Sequence, residues 1–95
     1  KLDLSNKSES YYLRILVKDI SGVLAKITSN LNEEGISIET ILQTPDKNGS
    51  QEQIPIIIVT HETKKRLLSK ALTKIEKLDF VLDNIAVITI DKSIN

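Results

Sequence analysis

The chain has 95 residues, 40% of them apolar, with 13 basic and 13 acidic side chains that cancel. That length suits one domain with a modest core, and the neutral balance supplies no bulk field for nucleic acid or an anionic membrane. With no cysteine, a disulfide framework and thiolate metal sites are excluded. No apolar run approaches the roughly 20 residues of a membrane span, and no signal-peptide pattern opens the sequence. The cysteine-free composition fits a reducing compartment. The sequence starts at Lys1 and contains no Met, so the expectation is a piece of a longer polypeptide.

Residues 1–10 (KLDLSNKSES) are polar and unpatterned, which predicts a linker ahead of a domain over residues 11–92. Leu13, Ile15 and Val17 then alternate with Arg14, Leu16 and Lys18, the period of a strand. From Ser21 the spacing becomes helical, with Val23, Leu24, Ile27 and Leu31 on one face. Gly35 is suited to end that helix, because glycine accepts positive φ. Ile36, Ile38 and Leu42 alternate again in a second strand that runs to about Gln43. Residues 44–50 (TPDKNGS) are dense in turn formers and predict a long hairpin connection.

Residues 54–60 are β-branched on both faces, which predicts a strand inside the sheet, with Pro55 where no N–H is needed. Leu67, Leu68, Ala71, Leu72, Ile75 and Leu78 form the stripe of a second helix, and Thr63 is its expected N-cap. Residues 85–90 alternate into a last strand. The order βαββαβ, with short connections and right-handed crossovers, predicts an α+β ferredoxin-like sandwich: a four-stranded antiparallel sheet with two helices on one face. The other face is then expected to carry Leu16, Ile41 and half of the third strand, an apolar surface that implies a partner.

The stretch "YLRILVKDISGVLAKI" turns from strand to helix within a few residues. Such a turn aims the helix's unpaired N–H groups beyond the strand end, where they and the helix dipole suit a carboxylate. Asp19 adds a negative charge that suits an ammonium, and Gly22 leaves room for close approach. A group with both charges a few ångströms apart is an α-amino acid. The competing reading is that Asp19 or Ser21 caps the helix and Gly22 relieves the turn.

The run Asp19-Ile20-Ser21-Gly22-Val23-Leu24, placed between a strand and a helix that leads into "EEGISIETILQ", resembles the ACT domain family of amino-acid-sensing modules. The resemblance covers nearly the whole chain. "YYLRILVKDISGVLAKI", "GISIETILQ" and "VTHETKKRLLSKALTKIEKL" are most similar to the C-terminal domains of the homoserine dehydrogenase family. The resemblance implies a cytoplasmic regulatory and dimerising domain with an amino-acid effector such as threonine. It also implies that NAD(P) and the oxidoreductase chemistry belong to a catalytic part ahead of residues 1–10. Members of this family hold the ligand between two subunits. That implies an effector site of Asp19, Ile20, Ser21, Gly22, Val23 and Leu24 in the loop of one subunit, with Ser37 on the second strand of the other. The family often has Pro where Ser21 stands and Asn where Ser37 stands. Gln43 is a weaker candidate, read as a solvated strand-end residue. Two alternatives remain open: a domain that only holds subunits together, or one from another biosynthetic enzyme such as phosphoglycerate dehydrogenase.

Catalysis within the chain is not expected. The only histidine, His61, falls at the end of the third strand and reads as a turn residue, and there is no metal-ligand spacing. RNA recognition on the same βαββαβ order needs aromatics on central strands, whereas this chain has only Tyr11, Tyr12 and Phe80. No glycine-rich dinucleotide turn is present. The 95-residue chain is therefore expected neither to oxidise homoserine nor to quench NADPH fluorescence saturably. Saturable quenching would overturn this.

Overall fold

The computed structural model describes residues 8–43 and 53–90. In chain order these form β1 (Ser8–Lys18), α1 (Val23–Glu33), β2 (Ile38–Gln43), β3 (Gln53–Thr60), β4 (Thr63–Lys64), α2 (Lys65–Glu76) and β5 (Ala86–Ile90). The alternation in β1 does what its period predicts. Leu13, Ile15 and Val17 are buried, while Arg14 and Lys18 are exposed. β3 lies between β1 and β2 and is antiparallel to both. Its position explains why it is aliphatic on both faces. Leu13 stands opposite Ile58 and Ile15 opposite Ile56, all four with no exposed surface. Fully burying each such side chain contributes about 1.5–3 kcal/mol.

α1 and α2 cover this face, and the fold is the expected α+β ferredoxin-like sandwich. α1 supplies Val23, Ile27 and Leu31 to the core, and α2 supplies Leu68, Ala71 and Ile75. α1 ends in a Schellman motif: Ile36 N–H donates to the Leu31 carbonyl at 3.0 Å and Gly35 N–H to the Asn32 carbonyl at 2.9 Å. The motif needs a left-handed residue, and Gly35 supplies it with φ +77°. The accompanying apolar contact is Ile36 against Leu31, both buried.

Four details depart from the sequence reading. β1 starts at Ser8 rather than Tyr11, because Ser8 and Glu9 pair with β4, a fifth short strand added to the expected four. That pairing takes Thr63 into the sheet and buries its side chain, so Thr63 is not the N-cap of α2. Lys64 holds that position, with no side-chain cap. Ile41 and Leu42 exchange faces. The register steps from Ile38 opposite Thr60 to Thr40 opposite Val59, a bulge that sets two residues of β2 against one of β3. A one-residue shift turns every later side chain over. Ile41 therefore joins Ile58 on the helix-covered face, and Leu42 joins Ile57 on the open one. The expected hairpin at 44–50 and residues 1–7 of the expected linker lie outside the described residues.

The open face carries Tyr12, Leu16, Ile57, Val59, Leu42 and Ile88, the last two more than half exposed. The apolar second face expected from the sequence exists, with Leu42 in place of Ile41. Among the described residues no helix is long and apolar enough to cross a membrane.

One polar contact ties α1 to α2. Lys74 Nζ donates to Glu34 Oε2 at 2.7 Å and lies 3.6 Å from Glu33 Oε1. The hydrogen bond holds the Glu34 carboxyl below its ordinary range and the Lys74 ammonium above its own. A depressed carboxyl stabilises the fold at neutral pH and loses that contribution as pH falls through its folded value. A raised ammonium contributes until pH climbs through its own. Glu34→Gln is expected to lower the melting temperature at pH 7, and this difference should vanish in strong acid and again above the lysine range. A deficit that persists below the carboxylate range would mean that the side chain acts through packing instead.

Candidate functional site

The turn between β1 and α1 is built by backbone contacts. Lys18 N–H donates to the Phe80 carbonyl at 2.9 Å, anchoring the end of β1, and Ile20 N–H donates back to the Lys18 carbonyl at 3.0 Å. Gly22 is the N-cap of α1, with φ +87° and ψ −7°, and its carbonyl accepts the Lys26 N–H at 3.0 Å. No side chain caps the helix and no acidic residue stands in its first turn. Neither Asp19 nor Ser21 is a cap. The first-turn N–H groups of α1 are thus left without a side-chain acceptor at the dipole's positive end.

Beside this turn is a hollow of about 130 Å³. Asp19, Ile20, Gly22, Val23 and Leu24 line it from the turn, Lys18 stands at the end of β1, and Ile54 and Ile56 come from β3. Gln43 lines it as well. The bulge accounts for this. With the register shifted by one, Gln43 stands opposite Ile56 on the covered face rather than on the open one. Sequence reasoning demoted Gln43 because the bulge has no marker in "SIETILQ": it carries neither Gly nor Pro.

Ser21 is exposed at the turn and does not line the hollow, and Ser37 lies elsewhere. Ser37 belongs to a second, more open hollow of about 540 Å³ between β2 and the outer side of α1, with Ala25, Thr28, Ser29 and Asn32. The loop precedes α1 and Ser37 follows it. Eleven residues of helix separate them, about 16 Å at 1.5 Å per residue. Within one chain the structure brings Asp19, Ile20, Gly22, Val23 and Leu24 together with Gln43, and leaves Ser37 apart.

The small hollow offers one carboxylate, the Lys18 ammonium, one amide, an aliphatic floor and helix N–H groups without a side-chain cap, which suits a small zwitterion. His61 follows β3 in an exposed position, with Nδ1 3.7 Å from Glu39 Oε2, and lines neither hollow. Among the described residues no cluster of His, Cys, Asp or Glu could hold a metal ion.

Comparison with known proteins identifies the family and the fold. The ACT domain family matches residues 11–80. Over most of its length the chain is homologous to the C-terminal region of homoserine dehydrogenases. It is 46% identical to the homoserine dehydrogenase of Bacillus subtilis over 70 residues, 74% of this chain and 16% of that protein. With the Neisseria gonorrhoeae enzyme it shares 34% over 90 residues, 95% of this chain and 20% of that one. The crystal structure of a homoserine dehydrogenase from Thiobacillus denitrificans superposes with a TM-score of 0.80 at 34% identity, covering 95% of this chain and 19% of that chain. The ACT domain of GTP pyrophosphokinase from Chlorobium tepidum superposes at 0.67 with 16% identity, over 85% of this chain and 99% of that one, and shows the fold alone. The chain thus spans about a fifth or less of the dehydrogenases it matches.

The backbone at Gly22 decides how this turn can be probed. A Cβ built there meets nothing within 4 Å, so space is not the constraint; φ +87° is. A Gly22→Val substitution would test ligand access with the fold intact only if φ were negative. The observed φ rules that out, because a β-branched residue is strained there. Gly22→Ala is expected to cost about 1–2 kcal/mol through backbone strain alone. At about 4–8 °C per kcal/mol for a domain of this size, calorimetry resolves it. Gly22→Asn should cost less, since Asn tolerates the left-handed region. Equal stabilities for Gly, Ala and Asn would contradict the positive φ.

Proposed function

This chain belongs to the ACT domain family, and from that premise we propose that it is the amino-acid-sensing and subunit-holding domain of an NAD(P)-dependent homoserine dehydrogenase. Nicotinamide binding and hydride transfer then fall to the rest of that polypeptide. The effector is threonine, made downstream of homoserine. One observation carries the reading: the uncapped start of α1 stands beside the exposed Asp19 over a hollow that also holds Gln43. The helix N–H groups take the effector carboxylate and Asp19 takes its ammonium. Gln43 faces the side chain, where its amide can both donate to and accept from a hydroxyl.

Dimerisation supplies the rest of the site. β2 is an outer strand of the sheet, open to pairing with a second copy. The separation of Ser37 from the loop is accommodated if Ser37 reaches the loop of a partner. The same separation also favours a second reading, in which the domain holds subunits together and binds no ligand.

Calorimetric titration of the chain with threonine and a panel of other free amino acids tests both readings. Heat of binding for threonine is expected, and no heat with any amino acid would leave the second reading. Asp19→Ala is expected to cost about 1.5–3 kcal/mol, the worth of a charge-assisted hydrogen bond. That is roughly a 10- to 150-fold loss of affinity. Its melting temperature should not change, because Asp19 makes no capping bond. Unchanged threonine affinity in Asp19→Ala would remove Asp19 from the site.

A further inference from the structure

β2 can be laid on β3 in two ways. In the structure Glu39 and Thr40 both stand against Val59, which sets Ile41 opposite Ile58 and Gln43 opposite Ile56. A strand without the bulge would keep Ile38 opposite Thr60 and then step on one residue at a time. Glu39 alone would stand opposite Val59, Thr40 opposite Ile58, Ile41 opposite Ile57 and Leu42 opposite Ile56. The bulged register turns Ile41 and Gln43 to the helix-covered face, and the straight one turns Thr40 and Leu42 there. Beyond Ile38, each register therefore covers one large aliphatic and one polar side chain. Hydrophobic patterning does not choose between them.

The observed burial does not choose either. No residue of β2 is fully buried, and Leu42 is 57% exposed. β2 is the end strand of its sheet and pairs with β3 alone among the described residues, so no second ladder opposes its turning over. His61 Nδ1 lies 3.7 Å from Glu39 Oε2 at the bulge, between exposed side chains, and such pairs contribute little. The His61 N–H bond to the Ser37 carbonyl at 2.9 Å precedes the bulge and suits both registers. The bulge interrupts the ladder, whereas the straight register does not.

The straight register would also set Leu42 opposite Ile56, where Gln43 now lines the small hollow. That hollow measures about 130 Å³, and an isobutyl group at this place competes with a ligand for it. We propose that β2 exchanges between the two registers. In the straight one Leu42 plugs the hollow; in the bulged one the hollow is open, Gln43 faces it and Leu42 stands on the open sheet face. A ligand in the hollow binds the bulged register alone and draws the population to it. That the ligand is threonine rests on the effector reading above, and the exchange of registers does not.

The chain has no cysteine, so introduced pairs tell the registers apart. Ile41→Cys and Ile57→Cys stand directly opposite only in the straight register. In the bulged one their Cβ atoms point to opposite faces of the sheet and cannot be bridged. Leu42→Cys with Ile57→Cys, opposite each other in the observed register, is the control pair. Oxidation by diamide is followed by thiol counting, at concentrations where a non-reducing gel shows no crosslinked dimer. Both pairs are expected to link within the chain. Threonine at about 100 times its Kd should slow the Ile41→Cys/Ile57→Cys link about 100-fold, because a ligand bound to one state alone depletes the other by that factor. The control should not slow. Adding Leu42→Lys, whose charge cannot enter the covered face unpaired, should suppress the first link without any ligand.

A first pair that stays open while the control links overturns the exchange. So does a first pair that links as fast with Leu42→Lys present. A link that bound threonine leaves unslowed overturns the coupling to the hollow. If calorimetry finds no threonine binding, yet the first pair links and Leu42→Lys suppresses it, the effector reading fails and the exchange stands. Should the cysteine pairs prevent folding, relaxation dispersion of the unaltered chain decides, with microsecond-to-millisecond exchange expected at the amides of residues 40–43. Flat profiles there mean a single register and overturn the proposal.

Discussion

The structure depends on the antiparallel pairing of β1 with β3. Leu13, Ile15 and Val17 on one strand and Ile56 and Ile58 on the other are buried together under both helices. Everything functional is referred to this pair. Its end at Lys18 fixes where the turn begins, and β3 carries β2, and with it Gln43, to the rim of the hollow. The other side of the same two strands forms the centre of the open face. One set of alternating residues holds the domain together while the other is left free for contact. A substitution such as Ile58→Ala, worth about 2–5 kcal/mol in a packed core, would therefore disturb both the hollow and the open face.

What could be read in the sequence follows from how local each determinant is. The stripes of α1 and α2 repeat over several turns, and the helix faces came out as expected. Gly35 was legible because one residue type, at one place after a helix, satisfies a Schellman motif, and both of its hydrogen bonds are present. The bulge at β2 was not legible. It is a property of the pairing of two strands, and "SIETILQ" alternates acceptably in either register. That single shift misplaced Ile41 and hid Gln43. Thr63 failed for a related reason, since it suits an N-cap locally but pairs with Glu9 from the far end of β1.

The fold and the family resemblance carry different amounts of function. The same architecture, at 16% identity, belongs to an ACT domain of GTP pyrophosphokinase, so the sandwich does not specify a ligand. On the proposed reading, specificity comes from the side chains at the turn and from those that β2 and β3 bring to it. The turn itself was legible as a turn, but its φ was not. Gly22 reads equally well as room for a ligand or as a backbone need, and φ +87° establishes the backbone need.

Stability and recognition are separated at this turn. Had Asp19 or Ser21 capped α1, each would contribute about 1 kcal/mol to the fold, and any change of ligand preference there would also weaken the domain. The helix instead starts on a glycine carbonyl with no side-chain cap, and Asp19, Ile20 and Ser21 are all exposed. The strain-bearing position, Gly22, is the one that must be kept. The loop residues around it can change with little effect on the core, because Val23 alone among the turn's hollow-lining residues is buried. On the proposed reading, one small effector can be exchanged for another at the loop and at Gln43, while the β1–β3 pair continues to hold the fold.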